Sequence, residues 1–536
     1  MNWFWLRRRR RVTSAGGLPH NSAGQPAGRK TARRILYAWL SVVIAGAAAG
    51  CTGSPGNSGQ ARATTAALPS PVFISTAAPE VPVGRQLTWF LRAVADLPWS
   101  RQVIQAHFDS GFLAQGGPDE LNLALEQSLA AMGASVPSSG VSLTGLLWQD
   151  PAHDPVSLLA VASFGRVKLA VNLAVDGAGL ISGLLLRPYL SSWAQVDREL
   201  AALAPDASLL VARVSPGGSC TPVHQVAASA ARPLASMFKL FVLGALAHQI
   251  AASRVSWNQE LTVTDALKSP GSGSLQDVPA GTRVPVQLTA AKMISTSDNT
   301  AADMLMHLVG RSAVQAQDRQ WSEHAALNVP LLTPREDLLL HLVDYPALAN
   351  RYLSLAPSRR AAFLASSVDP LPLTPAQAQG LALAWTEPRD IDTIGTFASP
   401  DDICRAFAGL QQLAAQPRLA PIGPILSADN GGIGLDPAQW PTVWFKEGDE
   451  PGVLTLGYLA TDSKGQTFVV VAMLSDPAAE LLPSALPGSA AIAQAAFGLV
   501  GNPGPAGPPG PGTQVSGRRT QDCGESPTWR LRAGQW

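Results

Sequence analysis

Apolar residues recur at helical spacing through Leu87, Phe90, Leu91 and Val94, and the same period predicts helices over 101–109 and 119–132. The pattern then changes. Apolar runs over 141–147, 156–164, 167–175 and 179–186, separated by turn residues, read as successive strands. Helices followed by a meander predict an α+β unit with its helices on one curved sheet. Past Trp193 the period predicts a helix over 194–203, a strand over 207–214 and a long helix from Ser236 to about residue 252. Further helices are expected over 288–295, 301–309, 334–342 and 400–413. Apolar runs at 452–460 and 467–474 flank the turn Thr461-Asp462-Ser463-Lys464-Gly465 and read as an antiparallel hairpin. The expected fold class is therefore α+β, with the second unit an antiparallel sheet carrying a helical lobe.

Composition bears mainly on the chain ends. The 536 residues are 14% charged, against about 25% in an ordinary globular protein, and carry a formal net charge of +1. Residues 1–50 hold nine basic residues, Arg7 to Arg11, Arg29, Lys30, Arg33 and Arg34, and no acid. Without them 30 basic residues face 38 acidic ones, a net charge of −8 that argues against nucleic acid as a partner. The basic stretch leads into a fifteen-residue apolar run, 35–49, and then Gly50 and Cys51, the order of an export signal and short for a membrane span. Ala48-Ala49-Gly50-Cys51 resembles the lipobox of bacterial lipoproteins, which implies cleavage, lipidation of Cys51 and anchoring to the outer face of the cell membrane. The expected organisation is a signal segment (1–50), a Ser/Thr/Gly/Pro-rich linker (51–80), the first α+β unit (81–190), the second unit (191–500) and a tail (501–536) whose Gly-Pro repeats are too few for a collagen helix.

Metal chemistry finds no support. No CxxC or HExxH occurs, and the eight His never fall at a ligand spacing, so no metal or other cofactor is expected. Cys220, Cys404 and Cys523 allow at most one bridge; sequence does not pair them, and buried free thiols at 220 and 404 are the expectation. Asp150, His153 and Asp154 form a polar cluster beside Pro151 and Pro155, expected to be a solvated turn. The lysines are more informative. There are seven, and only Lys239 follows a Ser by three positions. In Ser236-Met237-Phe238-Lys239 the spacing stacks hydroxyl and amine on one helix face, where an amine of lowered pKa can take the serine proton. Ser297-Asp298-Asn299 follows, and Lys446-Glu447-Gly448 stands just before the predicted hairpin. Taken singly, each has a structural explanation, as a helix start or a strand end.

In this order the three elements resemble the SxxK, SDN and Lys-x-Gly motifs of class A β-lactamases and penicillin-binding proteins. The resemblance covers roughly 192–500 and implies a β-lactamase/transpeptidase-like fold and an acyl-enzyme on Ser236. It implies Lys239 as general base, Ser297 as proton relay, Lys446 as the charge facing a substrate carboxylate and Asn299 as a substrate or Lys239 contact. Substrate would also meet Glu447, Gly448 and Asp449, with the Ser236 and Asp449 amides as oxyanion hole, while Asp298 would cap a helix. The first unit resembles the cone of ketosteroid-isomerase-like domains, and the whole layout resembles actinobacterial β-lactamase-related lipoproteins. Two departures stand out. Glu447 occupies a position usually Thr or Ser, and no ExxLN segment supplies a deacylating Glu; Glu323 is out of register, and Glu336 reads as a first-turn helix carboxylate. The expected function is an exported, monomeric serine hydrolase acting on a small-molecule or cell-wall-derived amide, ester or β-lactam. A catalytically degenerate lipoprotein used for ligand binding or envelope assembly is the alternative.

Overall fold

Periodicity in the first unit translates into helices over Pro82–Ala93 (α1), Arg101–His107 (α2) and Gly117–Ala131 (α3). Strands follow over Ser142–Asp150 (β1), Val156–Phe164 (β2), Val167–Val175 (β3) and Ile181–Pro188 (β4). The computed structural model describes residues 73–501, except 115–116, 139, 151–155, 373–376, 378–379 and 381–384. The signal segment, Cys51, His153, Asp154, Cys523 and the tail beyond 501 therefore lie outside the described residues. Strands β1 to β4 form an antiparallel sheet in chain order. One sheet face and the helices enclose a core that includes Leu87, Phe90, Phe108, Leu158, Val171 and Ile181. Ile74 donates its amide to the Leu146 carbonyl at 2.9 Å, so chain expected to be linker already pairs with β1.

The second unit is built on a five-stranded antiparallel sheet. Its strands are Asp206–Val214 (β5), Cys220–Val226 (β6), Thr442–Glu450 (β7), Val453–Thr461 (β8) and Thr467–Ser475 (β9), ordered β7-β8-β9-β5-β6. Helices Trp193–Leu203 (α4) and Leu482–Gly501 (α5) cover one face, where Phe445, Leu456, Tyr458, Ile492 and Phe497 pack together. Buried against the other face is Lys239–Ala251 (α6), which is apolar all round as a central helix should be. With Asn299–Val309 (α7), Arg311–Trp321 (α8) and Pro400–Ala414 (α9) it encloses Leu240, Phe241, Leu305, Phe407 and Val471. A small separate core holds the segment between 332 and 394, with Leu339, Leu348, Tyr352, Leu364 and Ile394 in contact.

Strand β6 escapes apolar periodicity because it is an edge strand, polar and partly exposed along its length, with Pro222 in it. The expectation of free thiols fails for the same reason. Cys220 on β6 is bridged to Cys404 on α9, across 184 residues of sequence. Constraining so long a loop in the unfolded chain stabilises the fold by about 2–4 kcal/mol. Reduction, or Cys404→Ser, should lower the urea midpoint by a corresponding amount, as followed by circular dichroism.

Candidate active site

The Ser236 turn begins with a strained residue. Ala235 has φ of 43° and opens the single 3-10 turn Ala235–Phe238 that feeds α6. A side chain with a Cβ disfavours that region, so the surrounding packing must hold it. Thr455 on β8 does part of this: its hydroxyl lies 3.1 Å from the Leu234 carbonyl and 3.2 Å from that of Gly448, tying turn and strand together. Gly448 is obligatory here. A Cβ on it would stand 2.1 Å from the Leu234 oxygen and 2.8 Å from the Ser236 nitrogen.

Lys239 enters at the first turn of α6 and is fully buried. Its Nζ lies 2.8 Å from Ser236 Oγ, 2.6 Å from the Ser297 carbonyl, 2.7 Å from Asn299 Oδ1 and 3.1 Å from Ser297 Oγ. Burial pushes the amine well below its usual 10.5, and the positive charge of Lys446 pushes it further. A neutral amine has two N–H donors and one lone pair. The two shortest contacts, to Ser297 O and Asn299 Oδ1, can use both donors, which leaves the lone pair for the Ser236 hydroxyl proton.

Ser297 is itself held in a left-handed conformation, φ 51°, just ahead of α7. Its hydroxyl sits between the two amines, 3.1 Å from Lys239 Nζ and 3.0 Å from Lys446 Nζ. Ser272 Oγ donates to its carbonyl at 2.5 Å. Asp298 takes the structural place expected of it: Oδ1 caps α7 at the Ala301 amide, and Oδ2 accepts from the amides of Ser274 and Leu275. The loop around Gly273 is thereby fixed to the Ser297 turn. No motif in the sequence pointed to this loop.

Lys446 is buried on β7, an edge strand, and burial pulls its ammonium below the usual lysine range while Glu447, Asp449 and Asp429 oppose that shift. Strand alternation corrects the expectation for Glu447. Lys446 lies opposite Gly457 in the register, whereas Glu447 lies opposite Leu456, in the α4/α5 layer that also takes Phe445. Its side chain therefore leaves the β7 face that Lys446 shares with Ser297. Gly448 returns to that face against the Ser236 turn, and Asp449 is exposed.

Neither carboxylate weighed for deacylation is available. Glu336 is buried as the third residue of Pro334–Leu342 (α10), closes a capping box with Thr333 and binds Arg311 at 2.5 and 2.9 Å. Glu323 is exposed and pairs with Arg405 at 3.3 Å. Among the described residues no carboxylate hydrogen-bonds to Ser236 or Lys239. Asp150, expected in a solvated turn, is instead buried as the last residue of β1 in the N-terminal sheet.

A half-buried serine beside a fully buried lysine, with a second serine bridging to a second lysine, is an arrangement suited to acyl transfer. Residues 207–330 match the Beta-lactamase enzyme family. The matched segment contains Ser236, Lys239, Ser297 and Asn299 and ends before Lys446. No curated protein matches the chain. Among solved structures, a β-lactamase from Sphaerobacter thermophilus is 19% identical, covering 59% of this chain and all of its own, with a TM-score of 0.40. A β-lactamase from Chitinophaga pinensis is 17% identical over 56% of this chain and 96% of its own, TM-score 0.37. PBP-A is 17% identical over 58% and 98%, TM-score 0.36.

Proposed function

We propose that the chain is an exported serine hydrolase of the β-lactamase-like superfamily that acylates Ser236. The observation that carries this is the buried Lys239 amine 2.8 Å from Ser236 Oγ. Lys239 takes the hydroxyl proton as Ser236 attacks a carbonyl, and the Ser236 and Asp449 amides receive the developing oxyanion. Ser297, hydrogen-bonded to both lysines, passes the proton to the leaving nitrogen or oxygen. Lys446 attracts a substrate carboxylate, and Asn299 orients Lys239. The commitment of Glu336 to Arg311 and the α10 cap supports slow deacylation, so that the acyl-enzyme accumulates. The substrate class is a small-molecule or cell-wall-derived amide, ester or β-lactam. Lipidation of Cys51 would hold the enzyme at the outer face of the membrane. Residues 81–190 form its ketosteroid-isomerase-like first domain and 191–500 its second.

The same missing base supports the second reading, a ligand-binding lipoprotein with a degenerate site. Intact mass spectrometry after incubation with benzylpenicillin or a fluorophosphonate separates the two. The expected result is a stable adduct of one reagent on the wild type that is absent from Ser236→Ala. Equal labelling of both proteins removes the nucleophile assignment, and saturable binding that survives Ser236→Ala without an adduct selects the second reading.

A further inference from the structure

Pro270-Gly271-Ser272-Gly273-Ser274 lies against the Ser297–Asn299 turn and carries no charged side chain. Gly271 and Gly273 have φ of 118° and 89°, a region that favours glycine, and a Cβ on Gly273 would stand 2.2 Å from Asp298 Cγ. The two glycines let the backbone come close enough for the side chain between them to reach the turn. Ser272 uses both of its acceptor and donor groups there. Its hydroxyl donates to the Ser297 carbonyl at 2.5 Å, and its own carbonyl accepts from the Asn299 amide at 3.2 Å. The loop is anchored independently on either side. Ser269 Oγ donates to Asp303 at 2.6 Å, and the Ser274 and Leu275 amides donate to Asp298 at 2.7 and 2.9 Å.

The Ser297 carbonyl is also the shortest contact of Lys239 Nζ, at 2.6 Å, so one oxygen receives two short donors. A carbonyl oxygen has two lone pairs, and each donor it accepts weakens its pull on the other. That pull bears on ionisation, because an ammonium gains more from a carbonyl than a neutral amine does. An oxygen already serving a hydroxyl therefore favours the neutral amine, whose lone pair is left for the Ser236 hydroxyl 2.8 Å away.

We infer that Ser272 is a positioning residue for the general base: by occupying one lone pair of the Ser297 carbonyl, it weakens the grip of that oxygen on a charged Lys239 and keeps the amine neutral beside Ser236. The catalytic meaning rests on the reading of Lys239 as base, whereas the effect on its ionisation does not. Lys239 is also faced by Lys446 and Asp449 of β7, by Asp298 and by Asp303 of α7. The lysines flanking the loop are engaged elsewhere, Lys268 with Asp265 at 2.9 Å and Lys292 with Ser274 Oγ at 2.8 Å. Replacing Ser272 by Ala changes none of these charges and leaves the loop its other anchors. A shift in the Lys239 titration then reports the lost hydroxyl.

The test uses the full chain as wild type, Ser272→Ala, Ser272→Thr and Ser274→Ala. Lys239 is titrated directly by NMR of the lysine ε-carbons, its signal among the seven assigned by its loss in Lys239→Met. Labelling of Ser236 by a fluorophosphonate, which bears no carboxylate, is followed over the same pH range. In Ser272→Ala the Lys239 midpoint and the acid limb of labelling should both move to higher pH by about half a unit or more, a loss of about threefold in rate below the limb. On the alkaline plateau, where the amine is neutral in either protein, the rates should agree within about threefold. Ser272→Thr keeps the hydroxyl and should restore both positions, and Ser274→Ala should leave both in place. A Lys239 midpoint that stays put in Ser272→Ala overturns the inference. An equal shift in Ser274→Ala overturns it too, by reducing the effect to loosening of the loop, as does a rate loss of the same size at every pH. If wild-type Ser236 takes no label, the hydrolase reading fails separately, and the NMR midpoints still decide the role of Ser272.

Discussion

Replacing Lys239 with Met should lower acylation of Ser236 at neutral pH by at least a thousandfold, about 4 kcal/mol of transition-state stabilisation. Ser236 Oγ has Lys239 Nζ as its only hydrogen-bonding base among the described residues, at 2.8 Å. A methionine fills nearly the same buried volume without a basic lone pair, since its thioether sulfur is only a weak acceptor. Removing a buried amine also removes its desolvation cost, offset by the lost contacts to Ser297 O and Asn299 Oδ1. Stability should therefore change far less than rate, and thermal unfolding beside labelling kinetics separates the two. The pH profile of the wild type carries the sign of the mechanism. The base is the neutral amine, so acylation is weak in acid and rises as pH passes the lowered pKa of Lys239. Lys446→Met removes a positive neighbour, which lets Lys239 hold its proton to higher pH, and the acid limb for a carboxylate-free probe should move upward. A limb that stays in place in Lys446→Met would show that another group titrates.

The serine–lysine geometry was legible because lysine is scarce. With seven in the chain, a Ser three positions before one of them and a second lysine ahead of a hairpin are informative coincidences. Element periods were legible for a related reason: helices such as Pro82–Ala93 and strands such as Val156–Phe164 bury one regular stripe or a continuous apolar run. Glu447 was not legible. Strand β7 is covered on both faces, so Trp444 and Phe445 are both apolar and the sequence does not say which face the next residue joins. The Cys220–Cys404 bridge was hidden behind a polar edge strand, and the Arg187 contact with Gly432 joins residues 245 apart. Contacts of that range follow from how layers stack, and no local spacing encodes them.

Gly448→Ala should reduce Ser236 acylation by two to three orders of magnitude while leaving most of the fold intact. The new methyl would stand 2.1 Å from Leu234 O, 2.7 Å from Thr455 Oγ1 and 2.8 Å from Ser236 N. Thr455 can rotate its hydroxyl away, but the other two contacts are backbone atoms of the nucleophile turn. That turn is already strained at Ala235, and β7 is an edge strand paired on one side only, to β8. Relief therefore falls on the gap between strand and turn, which must widen by about an ångström to reach an ordinary contact distance. A displacement of that size at the reacting centre costs about a hundredfold by misorientation alone. Loss of one oxyanion donor adds a comparable factor. Because widening draws the strand edge away without uncovering either face of the sheet, the unfolding midpoint should move far less than the rate. The Lys239 limb should move less than in Lys446→Met, since Lys446 is displaced with β7 but not removed and the carbonyl partners of the amine lie at the Ser297–Asn299 turn. A Gly448→Ala protein that acylates at the wild-type rate would mean that Ser236 reacts without the β7 edge, and the oxyanion site would have to be sought elsewhere on the turn.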